Sequence, residues 1–436
     1  MSLQRKSKFI RELRRSPFAR SVAVLATGSA IAQAIPLIAL PLVSRLFDPA
    51  DFGVATLFLS ISTIFGIILT LHYDRAIVLL KDAAAANRIM AIAVTSSLVI
   101  SLLLLGLVLI TKSRNWEPEW ASQLGSWFYL LPLGALLIAL DNTALGLATR
   151  EKHFRRIAKS SIIQASTVTG IRVITGFFNS GVTGLIGSAL TGAIARLAYL
   201  WLPQKDHIRK HSCFDRPGKM LKLMYEYRHF PYYSLPADLL RSLNRNLPVF
   251  ALASIFGPTV LGLYAIGNRI LLMPISLFTE SVRRTYLQRA AELVNHGEPL
   301  KRLLFKVTGG LALAGLIIFP PVLLFGDIIF TFVLGEKWTG AGEYAQILSP
   351  FLFFMFIQGP SGATFIVLSK QHILLKIHVL GTLLITGCFL YSLLYMPSPE
   401  TTLRVYSVAA SLLSIVIILT AFILSSRTKY ETPSAD

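Results

Sequence analysis

The sequence predicts an all-α polytopic membrane protein, with about 12 transmembrane helices in two six-helix lobes and both termini cytoplasmic. Three observations carry that reading: a dozen apolar stretches, basic residues confined to alternate gaps between them, and a turn motif that recurs after six stretches. The chain has 436 residues, 54% of them hydrophobic. A bilayer core about 30 Å thick needs roughly 20 apolar residues per helix. Stretches of that length run over 19–46, 52–73, 85–111, 124–148, 156–178, 181–203, 229–255, 258–282, 303–333 (broken), 343–369, 371–395 and 401–425. Their continuous apolarity excludes the short alternating strands of an outer-membrane barrel.

Charge supplies orientation. Of 42 Lys and Arg, 32 fall in the segments 1–20, 74–88, 150–159, 204–228, 283–306, 370–376 and 427–429. The intervening gaps hold only Lys112, Arg114 and Lys337. This is the positive-inside pattern, and it puts both ends in the cytoplasm. A formal net charge of +20 also suits a nucleic-acid binder, but the spanning stretches exclude a soluble one.

The repeat supplies the lobes. Phe47-Asp48-Pro49-Ala50-Asp51-Phe52-Gly53-Val54 and Phe256-Gly257-Pro258-Thr259-Val260-Leu261-Gly262-Leu263 share Phe-x-Pro-x-x-apolar-Gly-apolar, 209 residues apart. Proline suits a first helical turn, where its missing N–H leaves no bond unmade, and the glycine lets helices approach closely. One turn recurring after six spans implies two parallel six-helix repeats, an arrangement that encloses a substrate site near the midplane.

In chain order, residues 1–18 form a basic cytoplasmic segment. Within it Leu3, Phe9, Ile10, Leu13 and Phe18 lie among six basic residues and predict a surface amphipathic helix. The first apolar run is too long for a signal sequence and lacks a small-residue cleavage site, so it is expected to stay as an anchor. The first lobe covers 19–203, a basic cytoplasmic linker 204–228, the second lobe 229–425 and a cytoplasmic tail 426–436. Pro36 and Pro41 break the first helix, Pro231 and Pro236 the seventh, Pro274 the eighth and Pro320-Pro321 the ninth. Such prolines serve gating or are simply tolerated, as they are in membrane helices. The longest outer gaps, 112–123 and 334–342, leave no room for an extracytoplasmic domain. Cys213 and Cys388 lie in a loop and a membrane helix and do not pair. Cys213 with His207 and His211 fits no zinc spacing and lacks a fourth ligand.

Ionisable residues inside the membrane cost about 2.5–3.5 kcal/mol each on insertion scales and so need a reason. The seventh helix carries Asp238, Arg241 and Arg245, whose spacings of three and four share one face. Arg241 and Arg245 fall near the bilayer centre, and Arg269, beside Asn268 in the eighth helix, reaches similar depth. Guanidinium forks grip phosphate oxygens bidentately, so these three arginines are the candidate binding residues for an anion such as a diphosphate. The alternative pairs Arg241 with Asp238 and Arg269 with a carbonyl. Arg172 and Arg196 are weaker candidates, Arg196 being placed to snorkel, as are Arg45 and Arg404. His72, Asp74 and Arg75 form a gate or an interfacial cluster at the inner end of the second helix. Asp74, Asp141, Asp238, Glu280 and Asp327 are the membrane acids that a coupling ion would use, with Asp238, Asp74, Arg75 and Asp141 taken as gate or coupling candidates.

No enzyme signature appears: there is no phosphate-binding Gly-rich loop, no metal-spaced cluster, and no nucleophile–base constellation on one side of the membrane. Glu117, Glu119, Glu336 and Glu343 sit in outer loops too short to shelter acid–base chemistry. No cofactor or metal is expected, and coupling to protons or sodium is left open.

The run Tyr227-Arg228-His229-Phe230-Pro231-Tyr232-Tyr233-Ser234-Leu235-Pro236 continues through Leu239-Leu240, Leu247-Pro248-Val249, Phe256-Gly257-Pro258, Gly262-Leu263-Tyr264-Ala265, Arg269 and Pro274-x-Ser276-Leu277 to Gln288-Arg289-Ala290-Ala291-Glu292. With Leu42-Val43-Ser44-Arg45-Leu46, Pro49-x-Asp51-Phe52-Gly53, Thr149-Arg150-x-Lys152-x-Phe154 and Gly335-Glu336-Lys337-Trp338, it resembles the Wzx-like oligosaccharide flippases, the polysaccharide transporter family of the multidrug/oligosaccharidyl-lipid/polysaccharide (MOP) exporter superfamily. The resemblance spans residues 20 to about 425. It implies a V-shaped pair of lobes in the bacterial inner membrane that passes an undecaprenyl-diphosphate-linked oligosaccharide to the outer leaflet. The product would serve O-antigen, capsule or exopolysaccharide synthesis, with a polymerase and glycosyltransferases of the same pathway as partners and no nucleic acid. The family's Arg-Tyr-Glu-like run after helix two is here His72-Tyr73-Asp74-Arg75: the acid stays, the basic position changes. The rival is a multidrug or small-molecule antiporter of the same superfamily, which should favour acids in its cavity.

Overall fold

The computed structural model describes residues 17–80, 82–114, 116, 122–202, 217–395 and 397–426, and their regular structure is helical throughout. The predicted surface helix of 3–18 falls almost wholly outside those residues. So do Glu117, Glu119, Cys213, His207, His211, the tail beyond Ser426, and the side chains of Pro274 and Glu280. The chain divides into two compact units, one ending at Phe250 and the other beginning at Ala251.

The first unit starts with α1 (Pro17–Ile38) and α2 (Leu40–Leu46), bent by 41° at Ala39, between the prolines expected to break this helix. α3 (Pro49–Leu69) opens with Pro49 in its first turn, and the Asp51 carboxylate accepts the Asp48 N–H at 3.2 Å. Both features fit the ring of unmet N–H groups at a helix start. A tight turn leads to α4 (Tyr73–Leu79). The Asp82 carboxylate then caps α5 (Ala83–Ser113) by accepting from the N–H groups of Ala84 and Ala85. α6 (Leu131–Arg150), α7 (Phe154–Phe177), α8 (Gly181–Trp201) and the short α9 (Pro217–Glu226) follow. α6 packs against α3, α5 and α8, and α7 packs against α1 and α8. A single π turn at Phe230–Ser234, over Pro231, enters the long α10 (Leu235–Asn295), whose first part completes this unit.

α10 holds two of the expected stretches. They separate at Gly257, whose φ of 82° no residue with a β-carbon adopts cheaply. The second copy of the repeated motif thus breaks the helix where it was read to do so. The second unit comprises the rest of α10, α11 (Lys301–Leu334), α12 (Thr339–Ile357), α13 (Gly359–Val367), α14 (Gln371–Tyr395) and α15 (Pro399–Ser426). α11 packs on α12, and α15 on both α12 and α14. The ninth stretch is interrupted at Phe325 (φ −130°, ψ 20°), past Pro320-Pro321 rather than at them.

Among the described residues, nine helices are long and apolar enough to cross a membrane, or ten when the bent first pair is one span. The shortfall from about twelve has two sources. α7 carries Arg155, Arg156, Lys159 and Arg172 within 24 residues, and α10 runs two stretches together across Gly257.

Candidate functional site

After Leu69 the chain reverses through Thr70, Leu71 and His72. Leu71 (φ 48°) and His72 (φ 61°) are both left-handed without being glycine, a cost of about 1–2 kcal/mol each. Thr70 holds the turn: its hydroxyl accepts the His72 N–H at 3.2 Å and donates to Asp74 Oδ1 at 2.8 Å. α4 is clamped by Tyr73, Ala76 and Ile77, buried with Ile89, Met90, Leu147 and Phe230. The Tyr73 hydroxyl also donates to the Met224 carbonyl at 3.2 Å.

The other side of α4, with Asp74, Arg75 and Val78, borders a cavity of about 670 Å³ within the first unit. α3 adds Thr63 and Ile67, α6 adds Asn142, Leu145, Gly146 and Thr149, and α10 adds Asp238, Arg241, Ser242, Arg245 and Asn246. The α10 positions make one helical stripe. The structure therefore brings Asp238, Arg241 and Arg245 together with Asp74 and Arg75.

Asp238 is the hub. Its Oδ1 accepts from Arg241 at 2.6 Å and its Oδ2 from Arg75 at 3.1 Å. His72 lies between the two acids, with Nε2 3.4 Å from Asp238 and Nδ1 4.0 Å from Asp74. Its side chain is only 5% exposed, and neither ring nitrogen makes a hydrogen bond among the described residues. Among the described residues, three guanidinium groups face two carboxylates in this cavity, one more cation than acid among those side chains. Arg245 makes neither hydrogen bond nor ion pair among the described residues. Its five N–H donors can take a multi-oxygen anion.

Arg269 lies in the second unit, on α10 beyond Gly257, with its side chain exposed. Asp141 lies outside the cavity. It forms an ion pair at 3.0 Å with Arg196, which also donates to Gln164 at 2.9 Å, so Arg196 ties α6, α7 and α8 together rather than snorkelling. Arg172 donates to the Ser188 hydroxyl at 3.1 Å. Arg404 borders a cavity of about 540 Å³ in the second unit together with Gln346, whose amide donates to Asp327 at 3.0 Å. His72 stands in the gate or interfacial cluster expected of it with Asp74 and Arg75, while Thr70, which holds the turn, is a site residue that no motif in the sequence points to.

A family model described as polysaccharide biosynthesis protein matches residues 42–343. The amylovoran biosynthesis protein AmsL of Erwinia amylovora is 24% identical over 250 residues, 55% of this chain and 63% of the relative. The chain thus spans less than two thirds of that relative's length. Among solved structures, the lipid II flippase MurJ in an inward closed conformation gives a TM-score of 0.67 at 12% identity, covering 92% of this chain and 90% of that one. An inward-facing multidrug resistance MATE transporter of the MOP superfamily gives 0.64 at 14%, covering 92% and 94%. These likenesses show a shared fold.

Proposed function

This chain belongs to the polysaccharide biosynthesis protein family, and from that premise we propose that it flips a polyprenyl-diphosphate-linked oligosaccharide, the undecaprenyl form being expected, from the cytoplasmic to the outer leaflet of a bacterial inner membrane. It is a multi-pass membrane protein with the MOP transporter fold, and its family places it in polysaccharide synthesis. The observation that carries the finer reading is the cavity with one cation in excess and Arg245 unengaged. A diphosphate is the part of such a lipid that the cavity suits best, because it offers several oxygens to a fork of N–H donors.

In this reading Arg245 holds the diphosphate. Arg241 and Arg75 are released to it in turn as Asp238 lets go, and Arg269 is a separate candidate on the second unit. The glycan occupies polar space and the polyprenyl tail stays in lipid. Movement follows alternating access of two lobes, 19–203 and 229–425, with both termini cytoplasmic. Asp238, Asp74, Arg75 and Asp141 are the candidates for gating or ion coupling, and His72, set between Asp74 and Asp238, joins them.

The multidrug antiporter is the second reading, and Asp74 and Asp238 inside the same cavity favour it. The two separate in a deletion strain. A flippase leaves the lipid-linked glycan inaccessible to an impermeant lectin in spheroplasts, and the intact chain relieves that. An antiporter leaves the glycan distribution unchanged and alters drug susceptibility instead.

A further inference from the structure

α1, α7 and α8 enclose a second cavity, an apolar groove of about 990 Å³ lying wholly in the first unit. Its walls are Ala23, Val24, Ile31, Ile162 and Leu202, and its floor is where Gly28 meets Ala158. A β-carbon on Gly28 would stand 2.4 Å from that of Ala158, so the two helices touch there and the groove ends against them. One end carries Arg155, Arg156 and Lys159, and among the described residues no acidic side chain lines it.

Two of those three cations are available. Arg156 is spent within the protein, its Nε and Nη2 both donating to the Tyr199 carbonyl at 3.3 Å. Arg155 and Lys159 are exposed and make no ion pair among the described residues. The cationic end coincides with the first turns of α7 and the last of α8. By the sequence's charge alternation, both belong to the inner membrane face. From there the apolar wall along α1 runs from Ala23 to Ile31, about 12 Å at 1.5 Å per residue. Cations at the interface above an apolar slot complement an anionic headgroup above an acyl chain.

We propose that this groove is a binding site for an anionic phospholipid of the inner leaflet, its phosphodiester held by Arg155 and Lys159 and one acyl chain lying along α1. The lipid-linked glycan is a poorer occupant. Among the described residues of its wall, Thr27 and the phenol of Tyr199 supply the side-chain hydroxyls, so hydroxyl-rich sugars would find few partners there.

The test uses the full-length protein purified in detergent and native mass spectrometry, with phosphatidylglycerol and phosphatidylcholine as competing probes. The wild type should retain phosphatidylglycerol at least about tenfold better. Arg155→Ala with Lys159→Ala should abolish that preference, and because both side chains are exposed, the apparent melting temperature should stay put. Ala23→Trp, which fills the slot and leaves the cations, should reduce retention of both lipids. Equal retention of the two lipids by the wild type, or phosphatidylglycerol retention untouched in both variants, overturns the proposal. So does displacement of phosphatidylglycerol by a polyprenyl diphosphate at equal concentration, which would make the groove a substrate site.

Discussion

Arg241 and Arg245 sit one turn apart on the same stripe of α10, yet the structure gives them unequal work. Replacing either with alanine removes one positive charge from the cavity, so the long-range Coulomb loss is nearly the same for both. What differs is the directional part. Arg241 is already engaged by Asp238 at 2.6 Å and is 68% exposed, and exposed pairs of this kind are worth about 0–1 kcal/mol. Its removal leaves Asp238 with Arg75 at 3.1 Å. Arg245 makes no hydrogen bond or ion pair among the described residues, leaving its donors for a ligand, and a hydrogen bond to a charged group is worth about 1.5–3 kcal/mol. At about 1.4 kcal/mol per decade, Arg245→Ala should weaken diphosphate binding about 10- to 100-fold. Arg241→Ala should fall well short of that, and Arg245→Lys should lie between, keeping charge but losing the planar fork. Binding of geranyl diphosphate to the purified protein, by thermophoresis at fixed ionic strength, reads all three. Losses for Arg241→Ala and Arg245→Ala that agree within about twofold would refute the reasoning, because a diffuse positive field would then explain the site.

Two further outcomes follow from the same geometry. Asp141→Leu should strand Arg196 and destabilise by about 3 kcal/mol or less, Gln164 remaining as a partner, whereas Asp141→Leu with Arg196→Met should recover most of the loss; thermal unfolding in detergent distinguishes them, and a double variant as weak as the single would contradict the pairing. Gly342→Val should empty the monodisperse peak in size-exclusion chromatography, since a β-carbon there would stand 2.4 Å from the Gly326 carbonyl oxygen and force α11 from α12.

Much of the fold was legible because membrane helices are written in local terms. Run length, alternating loop charge, helix-breaking prolines and the Phe-x-Pro-x-x-apolar-Gly turn are properties of short windows; Gly257 falls in that turn and Ala39 between Pro36 and Pro41. The stripe of Asp238, Arg241 and Arg245 was equally readable from helical spacing. What faces that stripe was not. Asp238 meets Arg75 across 163 positions of chain, and His72 reaches both acids through a left-handed turn that no glycine announces. Asp141 and Arg196 looked like a lone acid and a snorkelling arginine because each was read on its own helix. Their pairing depends on α6 and α8 being packed side by side.

Flipping by purified protein is the most direct test of the central claim. Full-length chain reconstituted in liposomes with a radiolabelled polyprenyl-diphosphate oligosaccharide should make the outer-leaflet glycan newly accessible to an impermeant glycosidase. The Arg245→Ala protein, reconstituted at equal density, should do so at least about tenfold more slowly, the lower bound expected for one lost charge-assisted contact. Equal rates for both proteins, or no transfer beyond protein-free liposomes, would contradict a flippase that grips its substrate through this cavity.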